Sequence, residues 1–251
     1  MAYTSNKEGE EHILSRLADM QERCQRTGRP CFLGFLDEFQ QKVCAGALRR
    51  SPLYSRFFGG YEDAERVFLC LSPWEGVEEE QFPIACAEIS FRPQDGLTHR
   101  DLLGSLMGLG LKREVVGDIV MGEDRAKVYL ASQVLEAVLS QLSRVGRAGV
   151  SCCSVPLGGT GNRRYQEITG SISSLRLDCV VAFLGNLSRT ASAQAIASGQ
   201  VSIDGQPEIS QTRLVEEGEK ISIRGTGKFV FDNQLGLSKK NKLRVQFRKY
   251  S

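Results

Sequence analysis

The sequence predicts an α+β fold in three parts. A helical N-terminal region leads into a β-α-β-β-α-β middle domain, and a C-terminal domain places two short helices on a small sheet. Three observations carry this reading. Residues 8–27 and 32–50 repeat apolar side chains near helical spacing. From residue 82 onward, strand-like and helix-like segments follow in regular order. Beyond residue 174, two short helical patterns precede short apolar runs bounded by turn residues. With 251 residues, the chain has room for one large domain or two to three small ones and needs no disulfide or metal to close a core.

Each element has a local reason. Ile13, Leu14, Leu17 and Met20 recur near helical spacing in the first helix, and Thr27-Gly28-Arg29-Pro30 ends it. Phe35, Leu36, Phe39, Val43 and Leu48 give the second. The pair Gly59-Gly60 marks a turn of unusual backbone angle or close approach, and Val67–Leu71 reads as a strand. Phe82–Phe91 is the first strand of the middle domain. Thr98–Leu109 is a helix with Thr98 as N-cap and Gly110 as its stop. Val115–Met121 and Arg125–Leu130 form a hairpin around Gly122-Glu123-Asp124, Ser132–Arg144 is an amphipathic helix, and Gly149–Val155 a last strand. That order is the split βαβ, ferredoxin-like arrangement, which RNA-recognition (RRM-like) modules share with many unrelated domains. The aromatic stacking motif of those modules is missing from these strands.

Gly158-Gly159-Thr160-Gly161-Asn162 reads as a connector, so the expected divisions are 1–75, 76–157, a linker 158–173, and 174–251 with a basic extension. In the last part, Leu177, Val180, Val181 and Leu184 share a helical face, Ser188 caps a second helix that Gly199 stops, and Asp204-Gly205 turns between short strands. Charge is unevenly spread along the chain. Residues 1–150 carry a net −4 and residues 151–251 a net +6, with +7 concentrated in 224–251 among Phe229, Phe231, Phe247 and Tyr250. A basic end on a near-neutral chain points to an anionic polymer. The eight cysteines form no C-x-x-C pair, and His12 and His99 are the only histidines. They read as reduced core residues of a cytoplasmic protein, with no metal site and no cofactor. No apolar run suits a membrane span, and no secretory signal opens the sequence.

Spaced motifs in the last part are similar to a known family. Arg176-Leu177-Asp178, Leu187-Ser188-Arg189-Thr190-Ala191-Ser192, Ile196-Ala197-Ser198-Gly199-Gln200-Val201-Ser202-Ile203-Asp204-Gly205 and Gly218-Glu219-Lys220-Ile221 together resemble an S4 RNA-binding domain. Asp204 stands where that pattern has Asn, and Glu219 where it has Asp. The stretch His99–Ile119, the segment Phe57-Phe58-Gly59-Gly60-Tyr61 with Ala64-Glu65-Arg66, and Ile223–Phe229 followed by Ser238-Lys239-Lys240 resemble the YlmH-type S4 proteins. The resemblance implies a bacterial, ribosome-associated protein. It implies a link to quality control of stalled large subunits that hold peptidyl-tRNA, and to cell division. The implied partners are structured RNA, namely 23S rRNA and tRNA on the large ribosomal subunit, with neither membrane nor DNA.

Carried onto this sequence, the resemblance makes Arg176 and Arg189 phosphate contacts. Asp178 either orients Arg176 or serves the helix start, and Ser188 is an N-cap or an RNA contact. Ser192, Arg224, Lys228, Lys239, Lys240 and Lys242 complete the expected RNA face, and His99, Arg100, Lys112 and Arg113 are a possible second one. Asp118 reads as structural.

Enzyme readings fit less well. His99-Arg100-Asp101 resembles a kinase loop, but Leu106 stands where that loop has Asn. Pseudouridine synthases attached to S4 domains carry H-R-L-D; here no Leu separates Arg100 from Asp101, and no T-S-G follows. Gly225-Thr226-Gly227-Lys228 lacks the first P-loop glycine, where Ser222 stands, and the Ser/Thr after the lysine, where Phe229 stands. The expectation is a non-catalytic RNA-binding protein, with an RNA-modifying enzyme or an RNA-tethered protein adaptor as alternatives.

Overall fold

The computed structural model describes residues 2–158, 165–238 and 240–250, with residues 2–7 and 165 described by their backbone alone. Residues Glu8–Asn162 form one compact unit and Arg163–Ser251 the bulk of a second.

The first unit begins on helix α1 (Ala2–Thr27), whose Ile13, Leu17, Met20 and Cys24 are buried on one stripe. Residues 32–36, expected in a helix, instead lie in strand β1 (Cys31–Leu36), where Cys31, Leu33 and Phe35 alternate inward. Asp37 then starts helix α2 (Glu38–Leu48) through a capping box with Gln40, and this local signal is what divides strand from helix. Strands β2 (Tyr54–Phe58) and β3 (Val67–Ser72) complete an antiparallel sheet in the order β1-β3-β2. The region therefore sets its two helices on a three-stranded sheet and is not helical alone. Every residue of β3 is buried, as expected of a central strand covered on both faces. Residues of α1 and α2 cover one face of this sheet.

The other face meets the middle segment. Strand β4 (Ile84–Ser90), helix α3 (His99–Gly108), strands β5 (Val116–Met121) and β6 (Arg125–Ala131) and helix α4 (Ser132–Gln141) follow in turn. A short ladder of β7 (Arg144–Val145) with β8 (Ala148–Gly149) leads to β9 (Ser151–Val155). The sheet order β5-β6-β4-β9, antiparallel throughout, is the expected β-α-β-β-α-β arrangement. Thr98 and Asp101 form the N-terminal capping box of α3, and Gly110 follows it at φ +80°. The core runs straight across residue 75: Phe35, Tyr61, Phe68 and Cys70 pack with Phe82, Ile84, Cys86 and Tyr129. Residues on either side of position 75 therefore pack into one compact unit, because the two sheets bury their apolar faces against each other. Gly60, at φ +99°, lets the backbone lie against Tyr129, since an added Cβ would come within 2.6 Å of that ring.

The second unit holds strand β10 (Tyr165–Ile172), helices α5 (Leu177–Leu184) and α6 (Arg189–Ala197), and strands β11 (Val201–Ile203), β12 (Gln206–Pro207), β13 (Lys220–Ile223), β14 (Gly227–Leu237) and β15 (Leu243–Tyr250). The sheet order is β10-β15-β14-β13-β11-β12. Two expectations change here. Residues 165–172, expected to be linker, pair with β15 along the whole of β10, from Tyr165 opposite Tyr250 to Ile172 opposite Leu243. The basic extension is a long hairpin whose Phe229, Phe231, Val245 and Phe247 enter the core. The predicted stripe of α5 (Leu177, Val180, Val181, Leu184) packs on them. Asp204 and Gly205, both at positive φ, make the tight turn between β11 and β12, and the Asp204 carboxylate accepts the Lys220 N–H at 3.0 Å. Glu219 grips Arg213 through two hydrogen bonds and accepts the Glu216 N–H, so the acid of that motif ties the loop to the sheet. Among the described residues, no helix is long and apolar enough to cross a membrane, and no cluster of His, Cys, Asp and Glu could hold a metal ion.

Candidate nucleic-acid interface

The two short helices of the second unit are linked by a side chain of α6 that reaches back to the start of α5. Arg176 occupies the N-cap of α5 in extended backbone, and its guanidinium is held edge-on by Asp178, Nε to Oδ1 at 3.1 Å and Nη2 to Oδ2 at 2.8 Å. Asp178 also accepts the Cys179 N–H at 2.9 Å. The bidentate pair uses one edge of the guanidinium and leaves Nη1 and the second Nη2 proton for another acceptor. The hydrogen bond from Arg176 holds the Asp178 carboxyl below its ordinary pKa, against the opposing pull of partial burial. Asp178 is therefore a positioning residue.

Arg189 opens α6 and is exposed. Its Nη2 lies 3.4 Å from Ser173 Oγ and 3.8 Å from Cys179 Sγ. Both guanidinium groups thus lie at the start of α5, where the helix N-terminus favours negative charge. Ser188 is exposed, and its Oγ accepts the Ala191 N–H as the N-cap of α6. Ser192 is fully buried and donates its hydroxyl to the Arg189 carbonyl, so it supports the helix and offers no surface to RNA.

The basic extension divides into two groups. Lys240 and Lys242 sit in the β14–β15 turn, closed by hydrogen bonds between Ser238 and Lys242, and Lys239 lies outside the described residues. That turn is next to Leu243, the partner of Ile172, and Ser173 follows Ile172. The turn lysines therefore share the end of the sheet where Arg189 meets Ser173. Exposed Arg244, paired with Ser171 and Gly236, joins this group; its signal was its place in the basic run. Arg224 and Lys228 belong to the other end. Lys228 is the second residue of β14, roughly 30 Å along the strand from the turn at about 3.3 Å per residue. Its Nζ stands 5.3 Å from the Tyr250 ring centre. Arg224 donates its backbone N–H to Gln200, beyond the C-terminal end of α6.

The possible second surface separates as well. His99, Arg100 and Lys112 are exposed. His99 is crowded on its protein side, and this desolvation together with the Arg113 guanidinium lowers its pKa. Arg113 turns inward: Nη1 donates to the Val116 and Gly117 carbonyls, and burial with neighbouring Arg66 lowers its pKa to about 10. Asp118, 8% exposed, accepts Tyr61 Oη at 2.7 Å and the N–H groups of Glu65 and Arg66 at 2.7 and 3.2 Å. The Gly-Gly-Tyr and Ala-Glu-Arg motifs are thereby pinned to the Arg113–Asp118 motif, and Arg113 and Asp118 serve the fold. Asp101 accepts both Thr98 N and Thr98 Oγ1 in the helix cap, which places its carboxylate in the capping box.

The helix-free face of the middle sheet, which RNA-recognition modules use, is half covered. Ile84, Cys86 and Tyr129 lie beneath Tyr61 and Phe35. Glu88 faces its partners Lys127 and Cys153 at the open end. Six of the cysteines are buried, Cys152 is half-buried, Cys153 is exposed, and all eight are free thiols.

Residues 77–158 match the family model described as "Putative RNA-binding domain in YlmH". Over 249 residues, covering 98% of this chain and 97% of the relative, the sequence is 30% identical to "Ribosome-associated protein quality control protein P2" of Bacillus subtilis (strain 168). Among solved structures, the cell division protein ylmH from Streptococcus pneumoniae aligns with a TM-score of 0.52 and 25% identity, covering 59% of this chain and 92% of that one.

Proposed function

This chain belongs to the YlmH family, and from that premise we propose that it is a non-catalytic RNA-binding protein of the large ribosomal subunit. The C-terminal unit acts as an S4 domain and docks rRNA together with tRNA, in rescue or quality control of stalled ribosomes. The observation that carries the reading is that the Arg176 and Arg189 guanidinium groups both lie against the start of α5, at the end of the sheet that holds the basic turn of the β14–β15 hairpin. A carboxylate that fixes one edge of a guanidinium presents the other to a phosphate in a defined direction. Helical RNA hides its major-groove edges, so phosphate geometry and shape are what such a surface reads. The homologue from Bacillus subtilis bears a ribosome-associated name, which favours ribosomal RNA over other structured RNA and a cytoplasmic setting.

The test is pelleting with purified large subunits, empty and loaded with peptidyl-tRNA. Arg176→Ala with Arg189→Ala is expected to weaken association about tenfold or more while the thermal midpoint falls by no more than about 5 °C, the cost of losing the half-exposed Arg176–Asp178 pair. Unchanged pelleting of the double variant on both kinds of subunit would refute the reading.

A further inference from the structure

The first unit carries a surface of the opposite character. Strand β2 is an edge of its sheet, paired on one side with β3. Surface pockets follow its length. Tyr54, Ser55 and Arg56 line one of about 320 Å³ together with Cys70, Ser72 and Trp74. Phe57 and Phe58 line the next, bordered by Glu62 and Asp63. Glu79, which binds Arg56 at 2.8 Å, stands between the two. Tyr54 and Trp74 are 51% and 48% exposed, unusual for such large side chains in a unit whose other aromatics are largely inside. The rim is acidic: Glu62, Asp63, Glu75, Glu78, Glu79 and Glu80 all reach solvent.

We infer that this groove along β2 is a docking site for an extended lysine- and arginine-rich polypeptide, which adds to the sheet as a further strand. An edge strand offers main-chain donors and acceptors to such a segment, and pockets at alternate positions take its side chains. Lysine or arginine between Tyr54 and Trp74 meets two aromatic faces and the carboxylates of the rim. The same carboxylates repel a phosphate backbone, so the site is separate from the arginine surface of the second unit and stands or falls independently of the RNA reading.

Trp74 is the only tryptophan in the chain, and its fluorescence therefore reports the groove directly in the full-length protein. The probe is a synthetic decapeptide of alternating lysine and valine, with a glutamate-valine decapeptide and oligouridylate as comparisons. Two further lysine-valine peptides carry N-methyl groups on complementary alternate amides. Saturable change in Trp74 emission is expected with the lysine peptide alone among the first three. One N-methylated peptide should bind and the other fail, because strand addition uses alternate amides. By anisotropy of a labelled lysine peptide, Trp74→Ala is expected to weaken binding about tenfold or more, and Glu75→Lys to weaken it with an unchanged circular dichroism spectrum. No response to the lysine peptide up to millimolar concentration, an equal response to oligouridylate, or equal binding of both N-methylated peptides would overturn the inference.

Discussion

Replacing Asp118 tests how the first unit is held together. Its carboxylate is 8% exposed and accepts three donors, the Tyr61 hydroxyl and the N–H groups of Glu65 and Arg66. Asp118→Ala strands those donors in or near the core and removes a negative charge beside the Arg66 guanidinium, whose own pKa burial lowers. Each stranded buried group costs about 1–3 kcal/mol, and losing one member of a buried charged network about 3–5 kcal/mol in all. We expect a loss of about 4 kcal/mol, on the order of 10 °C in Tm for a unit of this size. Asp118→Asn keeps one acceptor oxygen and should lose about half as much. Urea unfolding followed by Trp74 fluorescence reads the unit that contains the change. RNA association measured well below the midpoint should be unaltered, since the proposed phosphate contacts lie in the other unit. A loss under about 1 kcal/mol, or an Asn variant as damaged as the Ala variant, would refute the assignment of Asp118 as the pin of this unit.

Three further outcomes follow from the same geometry. Gly60→Ala combines a positive φ with a Cβ only 2.6 Å from the Tyr129 ring, and should destabilise the first unit by roughly 2–4 kcal/mol in the same urea assay. Arg176 holds the Asp178 pKa below its unfolded value, so the pair stabilises the second unit above the ordinary carboxylate range and stops doing so as pH falls through the lowered pKa. Asp178→Asn should accordingly reduce stability at pH 7 and leave it nearly unchanged at about pH 2, as read by denaturant unfolding at both values. Removing Lys240, Lys242 and Arg244 together should reduce the slope of log affinity against log salt by about 0.7–0.9 for each phosphate no longer neutralised, whereas Lys228→Ala should leave the slope as it is.

Local chemistry made much of this fold legible, and long-range pairing hid the rest. The stripes of α1 and α5, the Thr98 cap, the β5–β6 hairpin and the Asp204-Gly205 turn are each written in neighbouring residues, and each is found in the structure. The β1–α2 boundary was also written locally, in Asp37 and Gln40, but the apolar run of Phe35 and Leu36 continues smoothly into the helix and masks it. Strand β10 alternates Ile168, Gly170 and Ile172 with polar residues, a weak pattern whose partner strand lies more than seventy residues further on. Strand β15 alternates Val245 and Phe247 with Arg244, Gln246 and Arg248, so its charge obscured its period. At the candidate interface, residue type was readable but adjacency was not. Nothing in the spacing of the basic residues places Lys242 with Arg189 and Lys228 at the far end, and only packing shows that Ser192 and Arg113 face inward.

The most direct measurement is co-sedimentation of the full-length protein with purified large ribosomal subunits across a salt series, alongside the Arg176→Ala, Arg189→Ala variant. A phosphate-reading surface predicts strong pelleting at low salt that falls linearly on a double-logarithmic plot, with a weaker and shallower line for the variant. Pelleting that ignores salt, or two lines that coincide, would contradict it.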